Sequence, residues 1–166
     1  MKKVILFSSL FCVAFLLGSM YKEEKWMKVK KSMFQSNEPM TNRLKLGAFS
    51  LSLVVKDIDS SYQFYSNLGF KVLGGDIKKK YLILKSESTL IGLFEGMISE
   101  NMLTFNPGWN DQGKNSKSYT DIRIIYHSLL LKGALFLTKL TGEESGPAYF
   151  MLKDPDGNVL LFDQHR

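Results

Sequence analysis

The sequence predicts an α+β fold made of two copies of one β-α-β-β-β unit. Three observations carry that reading. First, Asp57-Ile58 opens a segment that Gly69 closes, and Asp121-Ile122 opens another that Gly133 closes. The Asp-to-Gly gap is 12 residues in both, and the copies start 64 residues apart. An Asp cap and a glycine in the left-handed region bracket a helix in this way. Second, apolar runs of strand length precede and follow each bracket. Third, Asp154-Pro155-Asp156-Gly157-Asn158 reads as a tight turn between two strands, with Pro fixing φ and Gly supplying the left-handed position. A duplicated unit is expected to bring two sheets face to face, and the cleft between them is where function would sit.

The elements follow in order. Phe49 to Val55 alternates, with Phe49, Leu51, Leu53 and Val55 on one face and Ser50, Ser52 and Val54 on the other. The apolar face is expected to meet helices, and the serine face to line the cleft. Asp57 or Asp59 caps the first helix, whose buried stripe is Ile58, Ser61, Tyr62, Tyr65 and Leu68. Phe70–Leu73, Tyr81–Lys85 and Leu90–Phe94 read as strands, with Gly74-Gly75-Asp76 as a turn. In the second copy, Met102–Phe105 is a strand and residues 106–118 form a long polar loop. Thr120 or Asp121 caps a helix with Ile122, Ile125, Tyr126 and Leu129 inward. Leu135–Thr138, Tyr149–Lys153 and Val159–Asp163 are the remaining strands.

Charge is unevenly placed along the 166 residues. Residues 1–45 hold nine Lys/Arg and three Asp/Glu, so they carry the whole net +6. Residues 46–166 hold 13 of each and are neutral. A neutral domain has little pull on phosphates, so nucleic acid is not an expected partner. Cys12 is the one cysteine, which excludes an internal disulfide and a cysteine-rich zinc site. Met1-Lys2-Lys3 followed by the apolar run Val4–Met20 has the layout of an export signal, or of an uncleaved anchor that tethers the chain to a membrane. Lys22, Lys25, Lys28, Lys30 and Lys31 then open a basic linker over 21–45, and Met33 or Met40 is an alternative start. The domain itself is placed at 46–166, in an exported or membrane-anchored protein.

These residues resemble the vicinal oxygen chelate superfamily, the glyoxalase, bleomycin-resistance and dioxygenase-like fold. Ser50-Leu51-Ser52-Leu53-Val54-Val55-Lys56-Asp57-Ile58, Phe64-Tyr65, Leu68-Gly69-Phe70, Gly133 and Asp154-Pro155-Asp156-Gly157-Asn158 carry the resemblance. Phe105-Asn106-Pro107-Gly108-Trp109 and Gly146-Pro147-Ala148 look like a glyoxalase-like subgroup. The resemblance implies two βαβββ modules whose curved mixed sheets form a cup. In metal-dependent members it also implies a divalent ion held by His, Gln or Glu from the first strand of each module and the last strand of the second. Imidazole and carboxylate suit such an ion and leave positions open for a substrate's oxygens.

Carried over residue by residue, those positions fall on Ser50 and Leu161, while Met102-Leu103-Thr104-Phe105 holds no histidine. A neutral hydroxyl is a poor ligand and leucine is none. No residue is therefore assigned to a metal, and no cofactor is expected. His127 reads as a surface or half-buried helix residue, and His165 as an exposed tail residue. Asp163 shares the strand face of Leu161, and Glu95 follows the fourth strand, so these two are the candidates for acid–base chemistry at the cup mouth. Ser50, Ser52, Trp109, Leu161 and Asp163 are the candidate ligand-lining residues. Trp109 reads equally as a ring that stacks on a ligand or as a plug over the sheet edge. Tyr62 and Tyr65 have core spacing. There is no phosphate-cradling loop, no Cys/His dyad and no Ser-x-Gly elbow.

The function expected is small-molecule binding in the cup without metal, by sequestration or modest acid–base chemistry. One alternative is a metal-dependent lyase, isomerase or dioxygenase. The other is a degenerate module that dimerises through its sheet edges.

Overall fold

A computed structural model describes residues 44–166. The expectations for the export signal or anchor at 1–20, for most of the basic linker and for the alternative starts lie outside the described residues. Among the described residues no helix is long and apolar enough to cross a membrane. Leu44–Arg166 forms one compact unit.

The first module runs β1 (Ala48–Val55), α1 (Ile58–Asn67), β2 (Lys71–Asp76), β3 (Tyr81–Ser86) and β4 (Thr89–Glu95). The second runs β5 (Met102–Asn106), α2 (Ile122–Leu131), β6 (Thr141–Gly142), β7 (Ala148–Lys153) and β8 (Val159–Gln164). Asp57 caps α1, its Oδ1 accepting from the Ser60 N–H at 2.6 Å, and Gly69 follows the helix at φ 94°. Asp121 caps α2, accepting from the Arg123 N–H, and Gly133 follows it at φ 78°. Each orphan helix end is thus met by the residue type that its geometry favours.

The two modules do not face each other as separate sheets. They fuse into one curved open sheet of order β2-β3-β4-β1-β5-β8-β7-β6. The antiparallel pair β1–β5 lies at its centre, and β4 and β8 run parallel to those two strands on either side. Register carries one apolar row across six strands, through Leu152, Leu160, Leu103, Leu51, Ile91 and Leu84. The helices pack on this face. Ile58, Tyr62 and Tyr65 of α1 meet Leu82, Leu84, Ile91 and Leu93. Ile122, Ile125, Tyr126 and Leu129 of α2 meet Phe150, Leu152 and Phe162. Each fully buried side chain of this kind contributes roughly 1.5–3 kcal/mol over an exposed one. Leu68, expected in the α1 stripe, caps the helix instead and is exposed.

Two local expectations are corrected. Gly74-Gly75-Asp76 is not a turn but the second half of β2, entered through a bulge between Val72 and Gly74. The turn comes one step later, where Asp76 Oδ1 caps the 3-10 segment Ile77–Lys79. Gly75 at φ 96° passes so close to β3 that a Cβ would lie 2.7 Å from the Tyr81 carbonyl oxygen, which explains glycine within a strand. Leu135–Thr138 is also not a regular strand. Phe136 makes one bridge to Leu152, Thr138 Oγ1 accepts from the Met151 N–H, and strand pairing resumes only at β6. The Thr138 hydroxyl takes a backbone donor that a ladder would use, so the edge is irregular.

Candidate functional site

The helix-free face of the sheet is the floor of the cup. Met151, Leu161, Thr104 and Ser50 are successive register partners there, as are Val159, Met102, Ser52, Gly92 and Ile83 in the next row. Ser50 and Leu161 therefore share one row, separated by Thr104. Ser50, Ser52 and Thr104 are 7%, 3% and 6% exposed, and the Ser52 and Thr104 hydroxyls hydrogen-bond at 2.7 Å. Gly92 leaves room for the Phe94 ring, since a Cβ there would sit 2.5 Å from Phe94 Cε2. Phe94 in turn stacks parallel to Tyr81 with centroids 6.4 Å apart.

This donor set does not suit a divalent ion. The positions expected to hold ligands carry hydroxyls and a leucine, and one hydroxyl pair is already mutually satisfied. Among the described residues no three of His, Cys, Asp and Glu cluster closely enough to hold a metal.

The rim of the cup at the C-terminal ends of β5 and β8 is chemically richer. Asp163 and His165 continue the Leu161 face, and His165 Nε2 lies 3.3 Å from Asp163 Oδ2. Burial pushes the Asp163 carboxyl above the usual aspartate value, against the pull of the His165 charge. Asn106 Nδ2 donates to the Asp163 carbonyl at 3.1 Å and ties β5 to this end of β8. The Trp109 indole stacks on the His165 ring, with centroids 4.3 Å apart and planes within 16°. Trp109 is pinned from two further directions. Its carbonyl accepts from the Ala48 N–H at 2.9 Å, and its N–H donates to the Asn106 carbonyl. Gly108 at φ 92° makes the corner; a Cβ there would press on the Arg166 side chain.

The loop after β5 folds on itself, with a bridge between Trp109 and Asn115 and Asn110 Oδ1 accepting from the Gln112 and Lys114 N–H groups. It reaches the other module. Lys85 Nζ, on β3, donates to both the carbonyl and Oδ2 of Asp111 at 2.8 Å, with the lysine side chain only 14% exposed. Beneath the loop lies a groove of about 370 Å3 lined by Lys45, Ala48, Phe49, Ser88, Trp109 and Tyr119, among others. A second cavity of about 400 Å3 lies between Leu53–Val55, Asn101 and the Ser60–Tyr65 part of α1. It contains none of the candidate ligand-lining or acid–base residues.

The structure sorts the candidates. Ser50, Ser52, Leu161 and Asp163 lie on the helix-free face, and Trp109 walls the groove at its rim. Glu95 does not join them, which corrects its expected place at the cup mouth. It pairs with Val55 on the helix side, where Oε2 accepts from the Ile58 N–H and from Lys80 Nζ, both at 3.0 Å. Those two donors hold its carboxyl below the usual glutamate value, so it stays ionised and is committed to capping α1. His165 is exposed, as expected, but it is not a free tail residue: it partners Asp163 and Trp109. Period-two alternation through 161, 163 and 165 was the available signal. His127 is half-buried on α2, as expected, and desolvation lowers its pKa. Gln164 carries no local signal in the sequence: 1% exposed, it accepts from the Ile122 N–H at 2.9 Å and does for α2 what Glu95 does for α1.

Comparison with known proteins agrees with this architecture. The family model for the Glyoxalase/Bleomycin resistance protein/Dioxygenase superfamily matches residues 47–162, and the chain belongs to that superfamily. No curated protein matches the chain. Among solved structures, one described as an NAD-dependent benzaldehyde dehydrogenase from Legionella pneumophila aligns at TM-score 0.54 and 18% identity, over 71% of this chain and 99% of that one. A methylmalonyl-CoA epimerase from Mycobacterium tuberculosis aligns at TM-score 0.52 and 12% identity, over 74% and 90%. A superfamily member from Vibrio splendidus 12B01 aligns at TM-score 0.49 and 18% identity, over 70% and 97%. At these identities the likeness is one of fold.

Proposed function

We propose that this protein binds a small organic molecule at the rim of its cup, without a metal ion at the centre, as an exported or membrane-tethered domain. The observation that carries the reading is Trp109. Its indole stacks on a histidine, its backbone makes two hydrogen bonds, and it forms a wall of the groove. A rigid aromatic wall beside a few polar groups is how proteins recognise small ligands at low conformational cost. The floor supports a binding role over a metal-centred one, because Ser50, Thr104 and Leu161 stand where ligands would be needed. The export or tether part rests on the sequence of residues 1–20.

A thermal-shift screen of the protein against small organic metabolites tests the binding site. A ligand that raises the melting temperature of the wild type, and whose effect is lost in Trp109→Ala, is the expected result. A ligand that stabilises both proteins equally would move the site away from this groove.

A further inference from the structure

The reading above leaves the ligand's chemistry open, and the groove's charge and rings narrow it. Three aromatic side chains line the groove: Phe49, Trp109 and Tyr119. Phe49 leans on Phe105 at 5.3 Å yet remains 48% exposed, Trp109 is backed by His165, and Tyr119 has the Arg166 guanidinium 4.7 Å from its ring centroid. Each ring is held in place and keeps a face or edge toward the groove.

The charges are one-sided. Lys45 lines the groove, and its Nζ donates to the Ser118 hydroxyl at 2.9 Å. Among the described residues no carboxylate pairs with it. The one carboxylate among the lining residues is Asp111, and both its carbonyl and its Oδ2 are taken by Lys85. Lys114 and Lys117, on the same loop, are exposed. An ammonium with only a hydroxyl partner, beside flat rings and under a loop with two more lysines, favours a ligand that brings both a planar face and a negative charge.

We propose that the groove takes a planar organic anion, its ring against Trp109 and its carboxylate on Lys45 Nζ. This rests on the small-molecule reading of the Trp109 groove and adds the ligand class. The ring supplies stacking, the carboxylate replaces water around Lys45, and Ser118 holds the ammonium in position. A neutral ligand of the same shape gains the stacking alone.

The test uses the full chain carrying Trp26→Phe, so that Trp109 is the remaining tryptophan and its fluorescence reports the groove. Benzoate and benzamide are the probes, titrated at low and high salt. Quenching by benzoate, with benzamide about tenfold weaker, is the expected result. The benzoate affinity should also fall with salt, and Lys45→Met should erase the preference for benzoate over benzamide. Benzamide binding as tightly as benzoate, or a preference that survives Lys45→Met, overturns the anion assignment and leaves the groove reading standing. Absence of quenching by either probe also overturns it. The groove reading then falls only if the screen's ligands are also indifferent to Trp109→Ala.

Discussion

Gln164 and Glu95 show how one side chain can join two elements. Gln164 is buried, accepts from the first N–H of α2, and donates to Asp121 Oδ2 and to the carbonyls of Gly146 and Arg166. Leucine in its place leaves the Ile122 N–H without a partner in a site where Ile122 itself is fully buried. Gln164→Leu is therefore expected to destabilise the fold by about 2–3 kcal/mol, read from chemical denaturation. Glu95 holds the matching place in the first module but adds an ion pair with Lys80. Its folded pKa is lowered, so its contribution is present above the ordinary value of 4.5 and lost as the pH falls through the folded value. Glu95→Gln keeps an acceptor for the Ile58 N–H and removes the charge. The variant should melt below wild type at neutral pH, and the two curves should converge in acid. A gap that widens in acid would show that the carboxylate is not the stabilising form.

At the scale of elements, the loop between β5 and α2 is the part that joins the modules over the groove. Its local folding comes from Asn110, whose Oδ1 takes two backbone donors, and from the left-handed Gly108 and Gly113. Its attachment to the first module comes from Lys85, a largely buried lysine whose head group has both its described partners on Asp111. Lys85→Met keeps the stem packed and removes both bonds. Limited proteolysis should then cut residues 110–118 several-fold faster, with the melting temperature little changed. Unaltered cleavage would mean that the loop is held by its own turns and not by the other module.

At the largest scale, residues 44–166 form one sheet with two helices on one face and an open concave face on the other. Fusion through β1–β5 brings the strands that carry Ser50, Thr104 and Leu161 side by side. That proximity is what a metal-centred relative would need, and the side chains at it offer no charge to hold a cation. Stripping the protein with a chelator and adding Mn, Zn or Ni should shift the melting temperature by less than about 1 °C, since a ligand that binds the native state well above its Kd raises it by several degrees. A stoichiometric metal that does raise it would overturn the metal-free reading.

Much of this was legible in the sequence, and for local reasons. A helix cap, a left-handed glycine and a period of two are written within a few residues of where they act. Asp57, Gly69, Asp121, Gly133 and the serine face of β1 therefore declared themselves. So did the superfamily. The missed features depend on distant partners. Glu95 looked like a cup residue because its bond to the Ile58 N–H spans 37 positions. Lys85 is only a strand end in the sequence, because its partner Asp111 lies 26 positions away. His165 looked like a tail because nothing in the order of residues places Trp109 over its ring. Thr138 broke a strand through a hydroxyl whose donor, Met151, lies 13 residues on. Periodicity tells which face a side chain takes. Only the closed chain decides what stands opposite that face, because loop closure brings together groups that the sequence keeps apart. For this protein the sequence by itself determined two modules and a serine face on the first strand. The tertiary structure alone decided that their sheets would be one, and that the groove would form at Trp109.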